Sequence, residues 1–203
     1  MSENFTPIDI DNLFTAIAQR RSMGLNRLRE DEVPREIIQQ ALEAANWAPS
    51  NGDTEPWRFT VYTGDARIGL GEAFAEAYRT ESEADGDFRE ETYEANKDRA
   101  MSAPVWIALG MEPGRRPDGS LSMPEHEEMM AVACAVQNMQ LILSAHGLLG
   151  MWHSKTVSTH PVTAKFVGLE EPSKLLGFFW AGYPNIPWPA GERGDLEGRV
   201  RWA

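Results

Sequence analysis

The sequence predicts one domain of the α+β class, in which helices cover a β-sheet. Three observations support this fold class. The chain of 203 residues is 42% hydrophobic and 25% charged, a balance that suits one medium-sized domain with a core. Apolar patterns occur in the order helix, helix, strand, helix, strand, helix, strand, which favours a sheet covered by helices. No repeat or linker divides the chain, so residues 1–203 are expected to form a single domain.

The predicted helices combine apolar residues at helical spacing with residues that start or stop a helix. Asp9 and Asp11 can cap a first helix, which leads to Arg20. Pro34 stands where a second helix begins, and Pro49 ends that helix. Three further helices are predicted at residues 66–78, 124–146 and 161–167.

Three segments have the composition of strands. Residues 57–62 alternate aromatic and β-branched side chains, which is typical of a strand. Residues 104–109 and 175–181 are apolar runs of strand length, which favours buried strands. The sequence therefore predicts a sheet built from at least these three segments.

Two segments fit neither pattern. Residues 80–99 are highly charged and poor in large apolar side chains, so we expect a solvated helix or a lid over the substrate site. Residues 182–203 contain Pro184, Pro187 and Pro189. Proline disfavours regular core elements, so this segment is expected to be an extended C-terminal arm that wraps a surface or a partner.

The composition excludes several classes of partner and site. The formal net charge of −12 argues against nucleic-acid or anionic-membrane partners, which require clustered Lys and Arg. It does not exclude a small anionic ligand held by a local cluster of arginines. The single cysteine, Cys134, allows no intrachain disulfide and no cysteine-based zinc site. It lies in an apolar helix and is expected in the core rather than at a nucleophilic site.

The expected location is the cytoplasm. A reducing compartment fits the single cysteine best. Residues 1–11 lack the basic and apolar regions of a signal peptide. The apolar stretch 129–152 is interrupted by polar residues, which predicts a buried helix rather than a membrane span.

The motif Arg20-Arg21-Ser22 follows the first helix and places two cations beside a hydroxyl group. Guanidinium groups bind phosphate through bidentate, charge-assisted hydrogen bonds, so the motif is a candidate phosphate site. It is also typical of a solvated helix end, where basic side chains interact favourably with the helix dipole. The motif alone leaves both interpretations open.

Two other segments combine turn residues with groups that can contact a flat ligand. Residues 48–57 place small polar groups before a strand, where they can bind the edge of a heterocycle or simply connect two elements. Residues 147–154 contain glycines that allow the backbone to approach a ligand closely. In this segment Trp152 can stack, and His153 and Ser154 can form hydrogen bonds. The same segment fits a helix-ending turn followed by a core tryptophan.

Motifs of several other site classes are missing. The sequence has neither a GxGxxG fingerprint nor a Walker A motif, so a nicotinamide donor is not expected in a Rossmann site. The four histidines lack metal-ligand spacing with acidic residues, and no metal site is expected. His126 and its glutamate neighbours are better explained as the acidic start of a helix.

Taken together and in this order, the segments resemble the nitroreductase family. The resemblance extends from about Ile10 to Trp202. Within the family, the chain is similar to the short bacterial members. It implies a three-layer α/β/α sandwich with a mainly antiparallel central sheet, an intertwined homodimer, and FMN at the dimer interface. The matching segments are Arg20-Arg21-Ser22, Ala48-Pro49-Ser50-Asn51, residues 55–59, residues 134–140, residues 147–154, Gly177-Phe178 and residues 196–202.

The resemblance also implies which residues contact the cofactor. One protomer supplies the phosphate site and part of the ring site, and the other protomer supplies two polar residues. The part of the chain at 145–150 lies near the nicotinamide donor. The implied FMN contacts are Arg20, Arg21 and Ser22 from one protomer, Asn46 and Ser50 from the other, Trp152, His153 and Ser154 along the flavin, and Arg193 at the phosphate.

The implied function is an FMN-dependent oxidoreductase. NADH or NADPH would reduce nitroaromatic or quinone-like acceptors by ping-pong hydride transfer, with no catalytic acid or base from the protein. The alternatives are a flavin-dependent dehydrogenase or dehalogenase on the same scaffold, an FMN-binding module without turnover, and a dimeric interaction protein without flavin. The expected partners are a small-molecule electron acceptor and a second copy of the chain.

Three positions depart from the family pattern. Glu55 stands where many relatives have glutamine, and an ionised carboxylate can only accept hydrogen bonds. Gly24 and Gly191 stand where longer relatives have lysines. Another group must therefore stabilise the reduced, anionic flavin, and Arg21 or backbone amides are the candidates.

Overall fold

The computed structural model of the chain describes residues 8–203. Within this range helices and strands alternate along most of the chain, and no helix is both long and apolar enough to cross a membrane. The elements are α1 (Ile10–Gln19), α2 (Arg35–Asn46), β1 (Trp57–Tyr62), α3 (Ala66–Asp85), α4 (Glu90–Arg99), β2 (Val105–Met111), α5 (Glu125–Ala145), β3 (Leu149–His153), α6 (Pro161–Val167) and β4 (Lys174–Gly182).

The four strands form one sheet in the order β1-β2-β4-β3, and every adjacent pair is antiparallel. Side chains alternate between the two faces of a strand. In β2, Ile107 and Leu109 pack on one face, against α2 and α5. Trp106 and Ala108 pack on the other face, against α3 and α6. The predicted three-layer α+β fold with an antiparallel sheet is therefore confirmed.

The main difference from the sequence prediction is β3. The sequence predicts a turn for its five residues because they follow Gly147 closely and include Gly150, whereas the structure has a strand there. A Cβ atom at Gly150 would overlap the Trp180 carbonyl oxygen, so this edge strand depends on a close contact with β4. A second difference is that α3 continues to Asp85, beyond the predicted end near Tyr78. Most of the charged segment 80–99 is thus helical, in the end of α3 and in α4.

Two helices carry an uncovered apolar face. The α1 helix begins at its predicted cap, Asp9, whose carboxylate accepts a hydrogen bond from the Asn12 backbone N–H at 3.0 Å. It has no buried residue, although Phe14 stands on its apolar face with 69% of its surface exposed. In α5, Met130 is 54% exposed and Cys134 is also exposed. The expectation that Cys134 lies in the core is therefore wrong, because one face of α5 has no neighbour within the described protomer.

Candidate cofactor site

The segment after α1 is fixed by three other elements. Ser22 forms an isolated parallel bridge with Gly150 of β3, and the Met23 N–H donates to the Gly150 carbonyl at 3.2 Å. The Gln140 side chain of α5 donates to the Arg21 carbonyl at 3.2 Å. The Trp180 indole of β4 donates to the Met23 carbonyl at 2.9 Å. The predicted phosphate motif is thus held rigidly at the edge of the sheet.

Two other guanidinium groups lie close enough to Arg20 for their charges to act on it. The pKa of Arg20 is lowered by its burial, and then by the positive charges of Arg193 and Arg21. Among residues 8–203, no carboxylate lies within 4.0 Å of any of these three arginines. The chain has 31 acidic and 19 basic residues, so a cluster of cations without an acid is a specific feature. Such a cluster is suited to bind an anion with several oxygens.

The arginines of the motif have different environments. Arg21 donates to three backbone carbonyls, those of Pro189 at 3.0 Å, Ala18 at 2.6 Å and Arg20 at 2.8 Å. A Cβ atom at Gly191 would overlap its guanidinium group, so the arm passes directly over it. Arg21 therefore holds the C-terminal arm against the end of α1.

Arg20 keeps most of its donors free. Its one side-chain hydrogen bond in the described part of the chain is to the Ser22 hydroxyl, at 3.3 Å. The arm is also tied by the Trp188 indole, which donates to the Gln19 carbonyl at 3.0 Å. These contacts hold the arm that carries Arg193, whose charge acts on Arg20 although the two residues are far apart in the sequence. Sequence reasoning placed all three arginines at the phosphate but did not distinguish their roles.

The end of β3 forms the second part of the site. The Trp152 indole donates to the Leu176 carbonyl at 2.8 Å, which fixes the ring against β4. The His153 Nδ1 lies 2.8 Å from the Ser158 hydroxyl. Gly177 has a φ of +119°, and a Cβ atom there would overlap the His153 carbonyl oxygen. A residue with a side chain at position 177 would thus push β4 away from the predicted flavin-lining strand.

The imidazole of His153 is neutral at ordinary pH. Burial is the main cause that lowers its pKa, and the positive charges of Arg99 and Lys155 lower it further. Ser154, the next predicted contact residue, is exposed at the end of β3. The segment therefore presents a neutral ring, an exposed hydroxyl and free backbone at one edge of the sheet.

The two remaining predicted contact residues lie at the end of α2 and in the loop after it. Asn46 is exposed, and its side-chain oxygen accepts a hydrogen bond from the Trp57 indole at 3.0 Å. The Ser50 hydroxyl accepts a hydrogen bond from the Glu55 N–H at 3.2 Å. The Glu55 carboxylate is exposed, with the residue at a φ of +44°. These bonds give the loop a defined shape.

A buried carboxylate, which sequence reasoning missed, anchors this loop to the start of α5. Glu128 is 1% exposed. It accepts hydrogen bonds from the Thr54 hydroxyl at 2.6 Å and from the Gly114 N–H at 3.0 Å. No local pattern distinguishes Glu128, because it follows three charged or polar residues, Glu125 to Glu127, at an acidic helix start.

One protomer does not bring all the predicted contact residues together. The loop with Ser50 is tied to Glu128, near the first turn of α5, whereas Arg21 is tied to Gln140, near its last turns. Twelve residues of helix separate these two anchors, which corresponds to about 18 Å. The segments 20–22 and 152–154 share one site, whereas the loop with Ser50 lies toward the other end of α5.

Comparisons with known proteins point in one direction. The nitroreductase family model matches residues 17–183. A protein of Escherichia coli strain K12, named as a candidate NAD(P)H nitroreductase (YdjA), is 29% identical over 170 residues, which cover 84% of this chain and 87% of that protein. The 5,6-dimethylbenzimidazole synthase of Rhodospirillum rubrum is 28% identical over 207 residues, which cover 98% of this chain and 92% of that protein.

A similar solved structure is that of the FMN-dependent nitroreductase NfnB from Mycobacterium smegmatis in complex with NADPH. The TM-score is 0.70 at 22% sequence identity, over 96% of this chain and all of that one. At this identity the likeness concerns the fold.

Proposed function

Because the chain belongs to the nitroreductase family, whose model matches residues 17–183, we propose that it is an FMN-dependent oxidoreductase. In this proposal it uses NADH or NADPH to reduce nitroaromatic or quinone-like acceptors. The observation that carries the proposal is the arginine cluster of Arg20, Arg21 and Arg193, which has no carboxylate nearby. The names and bound molecules of the similar proteins supply the identity of the cofactor and donor.

The residues present fit FMN. Arg20 and Arg193 would bind its phosphate, and Arg21 would hold the arm that positions Arg193. Ser22 and the segment Trp152 to Ser154 would line its ring, since both flank the same edge of the sheet. Burial and then the positive charges of Arg193 and Arg21 lower the pKa of Arg20, and a bound phosphate would offset both effects.

The proposed active form is a homodimer. The loop with Ser50 is anchored about 18 Å along α5 from the anchor of the phosphate motif, so Ser50 and, as the family resemblance implies, Asn46 would complete the site of a second protomer. In an antiparallel pair of α5 helices crossing at Cys134, Glu128 of one copy stands beside Gln140 of the other, because Cys134 is midway between them. The exposed faces of α1 and α5 supply the apolar surface that such a dimer needs.

FMN, when bound, supplies the chemistry of accepting a hydride and passing two electrons to an acceptor. The protein binds the phosphate with Arg20 and Arg193 and orients the ring with the rigid end of β3. His153, which is neutral, adds no charge to the ring site. Donor and acceptor would use the same exposed face in turn, with residues 145–150 near the nicotinamide, so no acid or base of the chain is required. A single shared site predicts ping-pong kinetics.

Residues 80–99 are proposed to control access of the acceptor. The α4 helix has no buried residue, and it is linked to α3 by aromatic contacts of Phe88 with Tyr78 and Tyr93. Arg79 of α3 lies 4.4 Å from the Tyr93 ring centroid. Residues 83–94 contain no buried residue, so the outer part of this hairpin can change position while Arg99 stays packed against Trp180. Tyr93→Ala should alter the KM ratio of large to small acceptors, and an unchanged ratio would contradict the proposal.

Steady-state kinetics test the proposed reaction. The protein is reconstituted with FMN, and initial rates are measured with NADPH or NADH against a nitroaromatic compound and against a quinone. Parallel double-reciprocal lines for either acceptor would support the proposal. Converging lines with both acceptors would contradict a shared site.

Other acceptors separate the related functions. Reductive release of halide from a halogenated phenol, without turnover of nitro compounds, would favour a dehalogenase. Formation of 5,6-dimethylbenzimidazole during turnover would favour the activity named for the Rhodospirillum rubrum relative. Bound FMN that neither donor reduces would favour a binding module without turnover.

A further inference from the structure

Arg99, at the end of α4, is a cation without a partner. Its Nε–H group is fully buried and donates to no acceptor among residues 8–203, and its guanidinium group has no ion pair there. Other arginines near the sheet are satisfied: Arg67 donates to the Ala103 carbonyl at 2.8 Å, and Arg58 pairs with Glu112 at 2.7 Å. A desolvated donor without an acceptor is costly, so Arg99 is suited to a ligand outside the described chain.

Arg99 lies beside both segments assigned to the flavin ring. Its guanidinium carbon is 5.9 Å from the centroid of the Trp180 ring. The same indole donates to the Met23 carbonyl at 2.9 Å, directly after the phosphate motif. On its other side the His153 ring lies 5.6 Å from the Trp180 ring. Trp180 therefore links Arg99 to the segments 20–23 and 152–154.

The charge around Arg99 is not balanced. Burial lowers the pKa of Arg99, but an arginine remains charged at neutral pH. Its charge contributes to the lowered pKa of His153, so the imidazole is neutral beside it. Lys155 adds a second positive charge nearby, and no carboxylate of residues 8–203 pairs with either cation. An anionic ligand would balance this charge.

We infer that Arg99 balances the negative charge that the FMN ring gains when it takes up a hydride, an inference that rests on the proposed function. A hydride carries two electrons and one proton from the nicotinamide, so the neutral ring becomes singly negative and the nicotinamide becomes singly positive. In a partly buried site this charge requires a nearby cation. Arg21, the candidate from sequence, already donates to three backbone carbonyls.

The midpoint potential of bound FMN measures this role. Arg99→Gln and Arg99→Met remove the charge, Arg99→Lys keeps it, and Arg67→Gln is the matched control on the same side of the sheet. Both charge-free variants should weaken binding of reduced FMN relative to oxidised FMN by about tenfold or more. For a two-electron couple this lowers the potential by about 30 mV for each tenfold. Arg99→Lys should retain most of the wild-type potential, and Arg67→Gln should not change it.

A second readout is independent of the cofactor. Because the Arg99 Nε–H group is buried without an acceptor among residues 8–203, the apoprotein of Arg99→Met should unfold at the same temperature as wild type or higher. If the midpoint potential of FMN bound to the wild-type protein is equal to or below that of free FMN, the inference is overturned without any variant. This measurement remains available if the charge-free variants do not fold.

Three other results would also overturn the inference, each in a distinct way. Equal FMN potentials in wild type and both charge-free variants would show that the charge of Arg99 does not stabilise the reduced FMN ring. If the charge-free variants keep the wild-type FMN potential but dimerise more weakly, the anion that pairs with Arg99 belongs to the second copy of the chain. Equal potentials with a raised KM only for carboxylated acceptors would assign it to the acceptor. Failure of the wild type to bind FMN would refute the proposed function itself, and this inference with it.

Discussion

Arg20→Ala should separate cofactor affinity from stability. In the apoprotein Arg20 makes one side-chain hydrogen bond, to Ser22 at 3.3 Å, and it is repelled by Arg193 and Arg21. Its removal therefore deletes little and relieves repulsion. We expect the apoprotein to unfold within about 0.5 kcal/mol of wild type, the range typical of a surface substitution.

The effect on FMN should be much larger. A hydrogen bond to a charged group contributes about 1.5–3 kcal/mol. Since each 1.4 kcal/mol corresponds to a factor of ten in Kd, Arg20→Ala should weaken FMN binding about 10- to 150-fold. Arg21→Ala should act differently, because it removes three bonds to backbone carbonyls and frees the arm. It should lower both FMN affinity and the unfolding temperature.

Fluorescence titration of the apoprotein with FMN and thermal unfolding without FMN test these expectations together. Lys165→Ala is the control, since it removes one exposed cation from α6, and it should change neither quantity. If Arg20→Ala binds FMN within about twofold of wild type, Arg20 does not bind the phosphate. If the Arg20 and Arg21 double variant retains its flavin fully on dialysis, the whole motif has no phosphate role.

Three further predictions follow from the described contacts. Glu128→Gln should lose about 1–3 kcal/mol of stability and weaken FMN binding, because one of the two hydrogen bonds that Glu128 accepts is lost and the Ser50 loop is released. The control is Glu127→Gln, since the Glu127 bond to Asn51 is 3.5 Å long. Equal losses of stability in both variants would contradict the anchoring role of Glu128. A short bis-maleimide should cross-link two chains through Cys134. A mono-maleimide is the control for the reactivity of the thiol. If the mono-maleimide reacts but the dimer is not cross-linked, the two α5 helices do not cross at Cys134. Because the pKa of His153 is lowered in the folded state, the unfolded chain binds a proton below about pH 6.5 that the folded chain does not. Wild type should thus lose stability as pH falls from 6.5 to 5, and His153→Gln should lose less stability over the same range. Superimposable curves of unfolding temperature against pH for the two proteins would refute this.

Local patterns were enough to predict most of the fold. The alternation of residues 57–62 gives the bounds of β1, and proline at the start of α6 gives its first residue. These signals are local, because they depend on side-chain alternation and backbone geometry. The edge strand β3 could not be predicted in the same way. Its five residues become a strand only through pairing with β4, and that pairing depends on contacts distant in sequence.

The candidate site was predictable only in part, for a similar reason. The motif of Arg20 to Ser22 stands out in the sequence because two cations follow a helix. The different role of Arg21 depends on where the C-terminal arm lies, and no local pattern gives that position. Arg99 stands in a charged helix where it resembles a solvated residue, and only its packing against Trp180 distinguishes it. Cys134 was misplaced because an apolar helix can face either a core or a second protomer.

The most direct test of the central claim is an absorbance spectrum of the purified protein through the visible region. It is recorded after incubation with FMN and removal of free flavin, and again after anaerobic addition of NADPH and then of NADH. The proposed function predicts a yellow protein that bleaches with at least one donor, and the donor that works identifies the physiological class. A protein that stays colourless after incubation with FMN, or that stays yellow with both donors, would contradict it.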